Sequence, residues 1–260
     1  MNLDINKIKE IVGDKYRNLQ IFVYNSVDST NIRAKESAKD ININNAVFIS
    51  SEQTAGRGRL GRSFVSARDK GLYLSILTKT PLQAEEAVNL TTYMATIAAD
   101  VIEELCDVEI CIKWVNDLYC AEKKLAGILT EGEIDQDGKL SYSVVGIGIN
   151  LYSQTYPDEI KNIAIDLEAL SGTKIDINRL AGLLILSFFE NLSLVGSKET
   201  AKKYKSRSFI IGKEIRVIKL SEEYDARVIG ITDDCRLEII RRDGQKEFLS
   251  TGEISIKTIN

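Results

Sequence analysis

Apolar residues Ile5, Ile8, Ile11 and Val12 fall on one helical face, which predicts an amphipathic helix over 5–15. Ile21-Phe22-Val23-Tyr24 reads as a strand, and Asp28-Ser29-Thr30-Asn31 offers several capping residues to a helix running to Lys39. Ala46-Val47-Phe48-Ile49-Ser50 is a short apolar strand, and from Gly71 to Thr80 Leu72, Leu74 and Ile76 alternate on one strand face. Residues 84–105, rich in Ala, Leu, Met and Glu, predict a long helix. Three strands are expected next, Glu109–Val115, Lys124–Glu133 and Leu140–Leu151, with Asp135-Gln136-Asp137-Gly138 closing the last two into a hairpin. Residues 152–175 are mixed and polar and read as a mobile loop with a short helix. Arg179 to Val195 is a strongly apolar helix, continued by Lys198–Ser206.

The texture changes at Gly212. Glu214–Leu220, Tyr224–Ile231, Arg236–Arg241, Glu247–Ser250 and Glu253–Ile256 alternate with turns such as Asp233-Asp234 and Asp243-Gly244. Such closely spaced short strands fit a small β-barrel. A boundary near 207–212 divides the chain into residues 1–210 and 211–260.

Composition narrows the chemistry. A net charge of −4 over 260 residues argues against a general nucleic-acid binder, although Arg57, Arg59 and Arg62 make one basic loop in an acidic chain. The first residues lack the apolar core of a signal peptide, and the longest strongly apolar stretch, Ala181 to Phe189, is too short to span a bilayer. Cys106, Cys111, Cys120 and Cys235 form no Cys-x-x-Cys pair and read as reduced core thiols, with the cytoplasm as the default compartment. There is no histidine. Ser-His-Asp and Cys-His catalysis and HExxH zinc chemistry are thereby excluded.

Three segments carry candidate chemistry. Gln53-Thr54-Ala55-Gly56-Arg57-Gly58-Arg59-Leu60-Gly61-Arg62 lies between two strands. Its glycines allow close backbone approach and its guanidiniums suit phosphate or carboxylate. It is neither a Walker A loop nor a GxGxxG opening a helix; the bland reading is a flexible, solvated connector. Lys113 and Lys124 flank a turn, and Lys124 precedes the buried-looking Leu125-Ala126-Gly127-Ile128-Leu129, whose small residues leave room for a ligand. Asn116 and Asp117 either cap that turn or read a nucleotide and hold Mg²⁺. Trp114 reads as core. Val144-Val145-Gly146-Ile147-Gly148-Ile149-Asn150 is either a crowded central strand or backbone thinned beside a ligand.

In this order the segments resemble the biotin protein ligase family. The resemblance runs from Asp28 to the C-terminus through Ser29-Thr30-Asn31, Gln53 with Gly56-Arg57-Gly58-Arg59, Lys113-Trp114-Val115-Asn116-Asp117, Lys124-Leu125-Ala126-Gly127, Gly146-Ile147-Gly148-Ile149-Asn150 and Gly252-Glu253-Ile254-Ser255. It implies an α+β fold, a mixed sheet with flanking helices followed by a small SH3-like barrel. The implied reaction has two steps: biotin and ATP, with Mg²⁺, give biotinoyl-5′-AMP, and a lysine of a biotin carboxyl carrier protein then takes the biotin. By the same resemblance Lys124, Arg57 and Arg59 are catalytic. Ser29, Thr30, Asn31, Gln53, Gly56, Arg57, Gly58, Arg59, Lys124 and Gly127 bind biotin. Arg59, Arg62, Lys113, Asn116, Asp117, Ile149 and Asn150 take the ATP side, with Asp117 the candidate metal contact.

The sequence departs from the family in two places: Val115 stands where proline is usual, expected to loosen the turn but keep the strand, and Phe64 where some members have tryptophan. About 20 residues precede the first catalytic strand, too few for the winged-helix DNA-binding domain of some members. A monofunctional form with no nucleic-acid partner and no membrane association is therefore expected. A homodimer is left open. The alternatives are a lipoate protein ligase and a non-catalytic biotin or nucleotide sensor.

Overall fold

Helix α1 (Ile5–Val12) forms where the apolar spacing predicts it, and Asp4 caps it by accepting the Asn6 N–H at 2.9 Å. The computed structural model describes residues 2–79, 83, 87–219, 222–250 and 252–256. Seven strands make the main sheet: β1 (Gln20–Tyr24), β2 (Asn45–Ser50), β3 (Gly71–Thr78), β4 (Cys111–Lys113), β5 (Asp117–Cys120), β6 (Lys123–Ile134) and β7 (Leu140–Asn150). Their order is β1-β2-β3-β7-β6-β5-β4. Among the described strands of this sheet only β1 and β2 pair in parallel, joined by the crossover helix α2 (Thr30–Ser37), so the sheet is mixed.

The two faces of this sheet are covered differently. Helices α3 (Ala87–Leu105) and α5 (Ile177–Glu190) pack on one face, with α1 against α5 and α6 (Lys198–Ser206) against α3. The short α4 (Leu167–Ser171) follows the loop after β7. On the other face α2 is the helix, among the described residues, that lies against β2, β3 and β7, over a small cluster of Ala34, Ala38, Ala46, Phe48, Leu77 and Val144. An eight-residue helix spans about 12 Å, so much of this second face is left to the loops.

The C-terminal strands β8 (Glu214–Ile218), β9 (Glu223–Ile231), β10 (Leu237–Arg241), β11 (Lys246–Leu249) and β12 (Glu253–Ile256) form an antiparallel sheet of order β11-β10-β9-β8-β12. Ile215, Val217, Val228 and Leu237 share one continuous core with the helices and Trp114. Trp114, 3% exposed, donates its indole N–H to the Cys235 carbonyl at 2.9 Å. Burying roughly 200 Å² of indole at about 25 cal/mol per Å² contributes about 5 kcal/mol before entropy.

Several expectations need correction. The strand expected over Glu109–Val115 shrinks to Cys111–Lys113, because the chain turns at Trp114 and Val115, across a cis peptide, to bury both side chains. The turn between Lys113 and Lys124 hides the strand β5, which pairs with both neighbours. The apolar helix ends at Glu190 rather than Val195, a 3₁₀ turn following at Leu192–Leu194, and Gly196 at φ +72° separates it from α6. Residues 84–86, Thr80 and Leu220, placed in elements by pattern, lie outside the described residues. All four cysteines are free thiols. No helix among the described residues is long and apolar enough to cross a membrane.

Candidate active site

Side chains alternate along a strand, so Gly146 and Gly148 of β7 and Gly127 of β6 can clear one patch of sheet face. Gly127 stands opposite Gly148 across the β6–β7 ladder, and Leu129 opposite Gly146. A Cβ on Gly148 would lie 2.5 Å from the Phe64 ring, and one on Gly127 3.3 Å from both Phe64 and Lys124. The patch is the floor of a cleft of about 1520 Å³ on the α2 side of the sheet. Phe64 lies on this floor, edge-on to Tyr73 at 6.4 Å.

At one end of the cleft stands a buried polar cluster. The first N–H groups of a helix lack intrahelical partners, and Ser29, which precedes α2, makes no capping bond with its hydroxyl. Gln53 supplies the acceptor instead. Its Oε1 takes the Thr30 N–H at 2.8 Å and the Thr30 hydroxyl at 3.1 Å, while its Nε2 donates to Ser66 at 3.1 Å. Ser75 Oγ lies 2.7 Å from Thr30 Oγ1 and 2.6 Å from Asn31 Oδ1. The Asn31 amide also donates to Leu129 O at 3.2 Å and to Glu131 at 2.9 Å, so its bonding capacity is used inside the protein.

The Gly/Arg segment is a folded hairpin. Gly58 N donates to Arg62 O at 2.7 Å and Phe64 N to Gly56 O at 2.9 Å. Arg57 and Ser63 therefore face each other as a pair without mutual hydrogen bonds, and the Arg57 backbone N–H and C=O point away from the hairpin partner. The tip turns through Leu60, at φ +52°, and Gly61, at φ +75°. Three ties hold it over the cleft: Arg57 to Glu131 at 3.4 Å, Arg59 to Asn116 Oδ1 at 3.2 Å, and Arg62 to Glu253 of β12 at 2.7 Å. The flexible-connector reading is replaced by this hairpin.

At the other end lie Lys124, Lys113, Asn116 and Asp117. Lys124 is three residues from Gly127, so a regular strand would place them on opposite faces. A bulge in the β5–β6 ladder, where Leu118 pairs with Ala126 but Tyr119 with Lys124, absorbs Leu125 and returns Lys124 to the cleft. Its ammonium pairs with Asp117 at 2.7 Å, and its backbone bonds the passing Ile163–Ile165 segment at 2.7 and 3.0 Å. Burial pushes the Lys113 ammonium below its ordinary pKa, against the opposing pull of Asp117. Asn116 donates to Ile128 O at 3.0 Å, and Asn150 to Ile165 O at 3.0 Å.

The structure brings most of the expected residues together. Ser29, Thr30, Asn31, Gln53, Arg57, Gly58, Arg59, Arg62, Lys113, Asn116, Asp117, Lys124, Gly127 and Asn150 line the one cleft. Two do not. Ile149 is fully buried in the helix-side core, because strand alternation turns it away from Gly148 and Asn150. Gly56 sits behind the lining, where a Cβ would strike Phe64 O at 2.4 Å and Ser66 Oγ at 2.5 Å. Sequence reasoning missed Ser75 and Glu131. The available signals were a lone serine in an apolar strand and a carboxylate two steps beyond Leu129 on the Gly127 face.

Residues 23–150 match the biotin/lipoate A/B protein ligase family, and residues 210–257 match the biotin protein ligase C-terminal domain. The chain is 30% identical over 237 residues to the bifunctional ligase/repressor BirA of Bacillus subtilis, covering 89% of this chain and 73% of that protein. It is 30% identical over 230 residues to the biotin–[acetyl-CoA-carboxylase] ligase of Mycobacterium tuberculosis, covering 85% and 81%. The biotin protein ligase from Aquifex aeolicus, solved in complex with biotin and ATP, superposes with a TM-score of 0.73 at 27% identity, over 92% of this chain and 98% of that one. The chain belongs to the biotin/lipoate A/B protein ligase family. Its C-terminal sheet and its relatives place it on the biotin protein ligase branch of that family.

Proposed function

We propose that the chain is an ATP-dependent biotin protein ligase. It forms biotinoyl-5′-AMP and then transfers biotin to a lysine of a biotin carboxyl carrier protein. The observation that carries this reading is the continuity of the cleft. A buried donor–acceptor cluster at Thr30, Gln53 and Ser75 runs over a glycine floor to Lys124, Arg59 and Asn116. That sequence of environments suits a ligand with a cyclic urea at one end, an apolar chain between, and a carboxylate at the other.

In the first step a biotin carboxylate oxygen attacks the α-phosphorus of ATP, and the bond to the departing pyrophosphate breaks. Two anions must meet, and fixed cations offset their repulsion most in the transition state. Lys124 is the group for this work, exchanging Asp117 for the carboxylate and the phosphate, and Arg59 carries the phosphate side from the hairpin. Arg57 lends its outward backbone N–H to the ring end of biotin, beside Ser29 and Gln53. In the second step the acceptor amine attacks the acyl carbon, AMP leaves, and the ammonium proton is lost. No enzyme nucleophile is required, which accords with a chain lacking histidine.

Magnesium enters with the nucleotide. Among the described residues no group of three or more acidic, cysteine or histidine side chains is placed to hold a metal. Asp117 and the phosphates fit the sparse protein ligation usual for Mg²⁺. The division at 210/211 and the cytoplasmic compartment remain part of this reading, the latter supported by four free thiols. So does the absence of a nucleic-acid partner, supported by the net charge of −4. The test is ATP-dependent transfer of biotin to a purified carrier domain, with pyrophosphate release. Lipoate transfer in its place, or biotin binding without pyrophosphate release, would overturn it in favour of a lipoate ligase or a sensor.

A further inference from the structure

Glu131 lies outside the reacting groups, yet three parts of the site meet on its carboxylate. Its Oε2 accepts from the Asn31 amide of α2 at 2.9 Å. Its Oε1 takes the Lys35 ammonium, one turn further along α2, at 2.7 Å, and the Arg57 guanidinium of the hairpin at 3.4 Å. Glu131 follows Gly127 by four positions on β6 and so shares the cleft face of the sheet. Burial alone would raise its carboxyl, but Lys35, Asn31 and Arg57 together hold it below the usual range, so it stands as an anion between two cations.

We propose that Glu131 is a positioning residue for the biotin end of the site: it ties the Arg57 hairpin and helix α2 to one point of the sheet and fixes how the hairpin lies over the cleft. This rests on the proposed ligase reading for its consequence, but the tie itself does not. With Arg57 anchored by its side chain, its backbone N–H is held facing away from Ser63, ready for a ligand. Lys35 and Arg57 share a single oxygen, with Lys35 the closer, so Lys35 limits how firmly the hairpin is held. Neutralising Glu131 leaves two cations side by side with no anion between them, which drives away Arg57, the more exposed and more distant of the two. Removing Lys35 leaves Oε1 to Arg57 alone, while Asn31 keeps Oε2.

Two variants of the full chain test this. Glu131→Gln keeps an acceptor for Asn31 but loses both ion pairs; Lys35→Met frees Oε1 for Arg57. Amide exchange over 57–63 in the ligand-free chain should be faster in Glu131→Gln and slower in Lys35→Met. With the parent as reference, Glu131→Gln should raise KM for biotin by about tenfold, the scale of one charge-assisted contact. Its kcat and its KM for ATP should stay within about twofold of the parent. A purely structural role would instead lower Tm and move both KM values together. Unchanged exchange over 57–63 in both variants overturns the tie, and an unchanged KM for biotin overturns its role in positioning. A parent that releases no pyrophosphate with biotin overturns the ligase reading, while the exchange data still decide the tie.

Discussion

Replacing Gly146 by alanine would set a carbon 2.0 Å from Asn31 Oδ1 and 2.9 Å from its Cγ. Asn31 cannot turn aside freely: it is 4% exposed, and Ser75, Leu129 O and Glu131 hold its amide. Either α2 is pushed off the sheet or the amide gives up its partners. Overpacking costs about 1–3 kcal/mol, and stripping bonds from a buried amide costs a similar amount, so about 1–3 kcal/mol is expected by either route. For a chain of this size each kcal/mol lowers Tm by about 2–4 °C, which gives a fall of roughly 2–12 °C. The same displacement moves Thr30, which holds Gln53 through its N–H and hydroxyl. KM for biotin should therefore rise more than kcat falls. Thermal denaturation and adenylation kinetics would be measured on Gly146→Ala alone and in an Asn31→Ala background, where the added methyl no longer meets the amide. An equal loss of Tm in both backgrounds would refute the reasoning, because the penalty would not come from Asn31.

Lys124→Ala should slow adenylation by about 10²–10³-fold, the scale of removing one preorganised electrostatic donor, while circular dichroism shows the fold retained; near-parent turnover would remove Lys124 from the reaction. Arg59→Gly, which breaks the tie to Asn116, should let biotinoyl-AMP escape into solution with little change in Tm, and tight retention of the intermediate in this variant would count against Arg59 as a holding group. In the C-terminal sheet, burial works to raise the Glu247 carboxyl, but Lys219, Tyr224 and Arg241 bond it and bring it from 4.5 down to about 2. Its stabilising effect is present above pH 4.5 and fades as the pH falls towards 2. Glu247→Gln should therefore flatten the acid limb of the stability curve between those values, and an unaltered limb would show that the network contributes nothing to folding.

Much of the site was legible because its chemistry is written in runs of adjacent residues. Gly56 to Arg62 advertised a backbone able to turn tightly beside fixed cations, and that segment is the hairpin over the cleft. Gly146 and Gly148 advertised a bare strip of strand, and it forms the floor. The Ile149 side chain falls outside the cleft for the same reason: a motif names neighbours in sequence, whereas a strand sends alternate neighbours to opposite faces. Strand β5 was missed because four residues between turn signals carry too little periodicity to register, and it forms only by pairing with β4 and β6 on either side.

The sequence by itself determined the local and covalent matters: where the longer helices and strands lie, where glycine permits close approach, and that no imidazole takes part. The tertiary structure decided which groups meet. The bulge at Leu125 that brings Lys124 to the Gly127 face depends on how β6 pairs with β5 and with Ile163–Ile165. The use of Gln53 in place of Ser29 to cap α2 joins residues 23 apart. The convergence of Asn31, Lys35 and Arg57 on Glu131 spans up to 100 positions. Propensity and periodicity act over a few residues, but hydrogen bonds and ion pairs act over a few ångströms. Only the folded chain converts the one distance into the other.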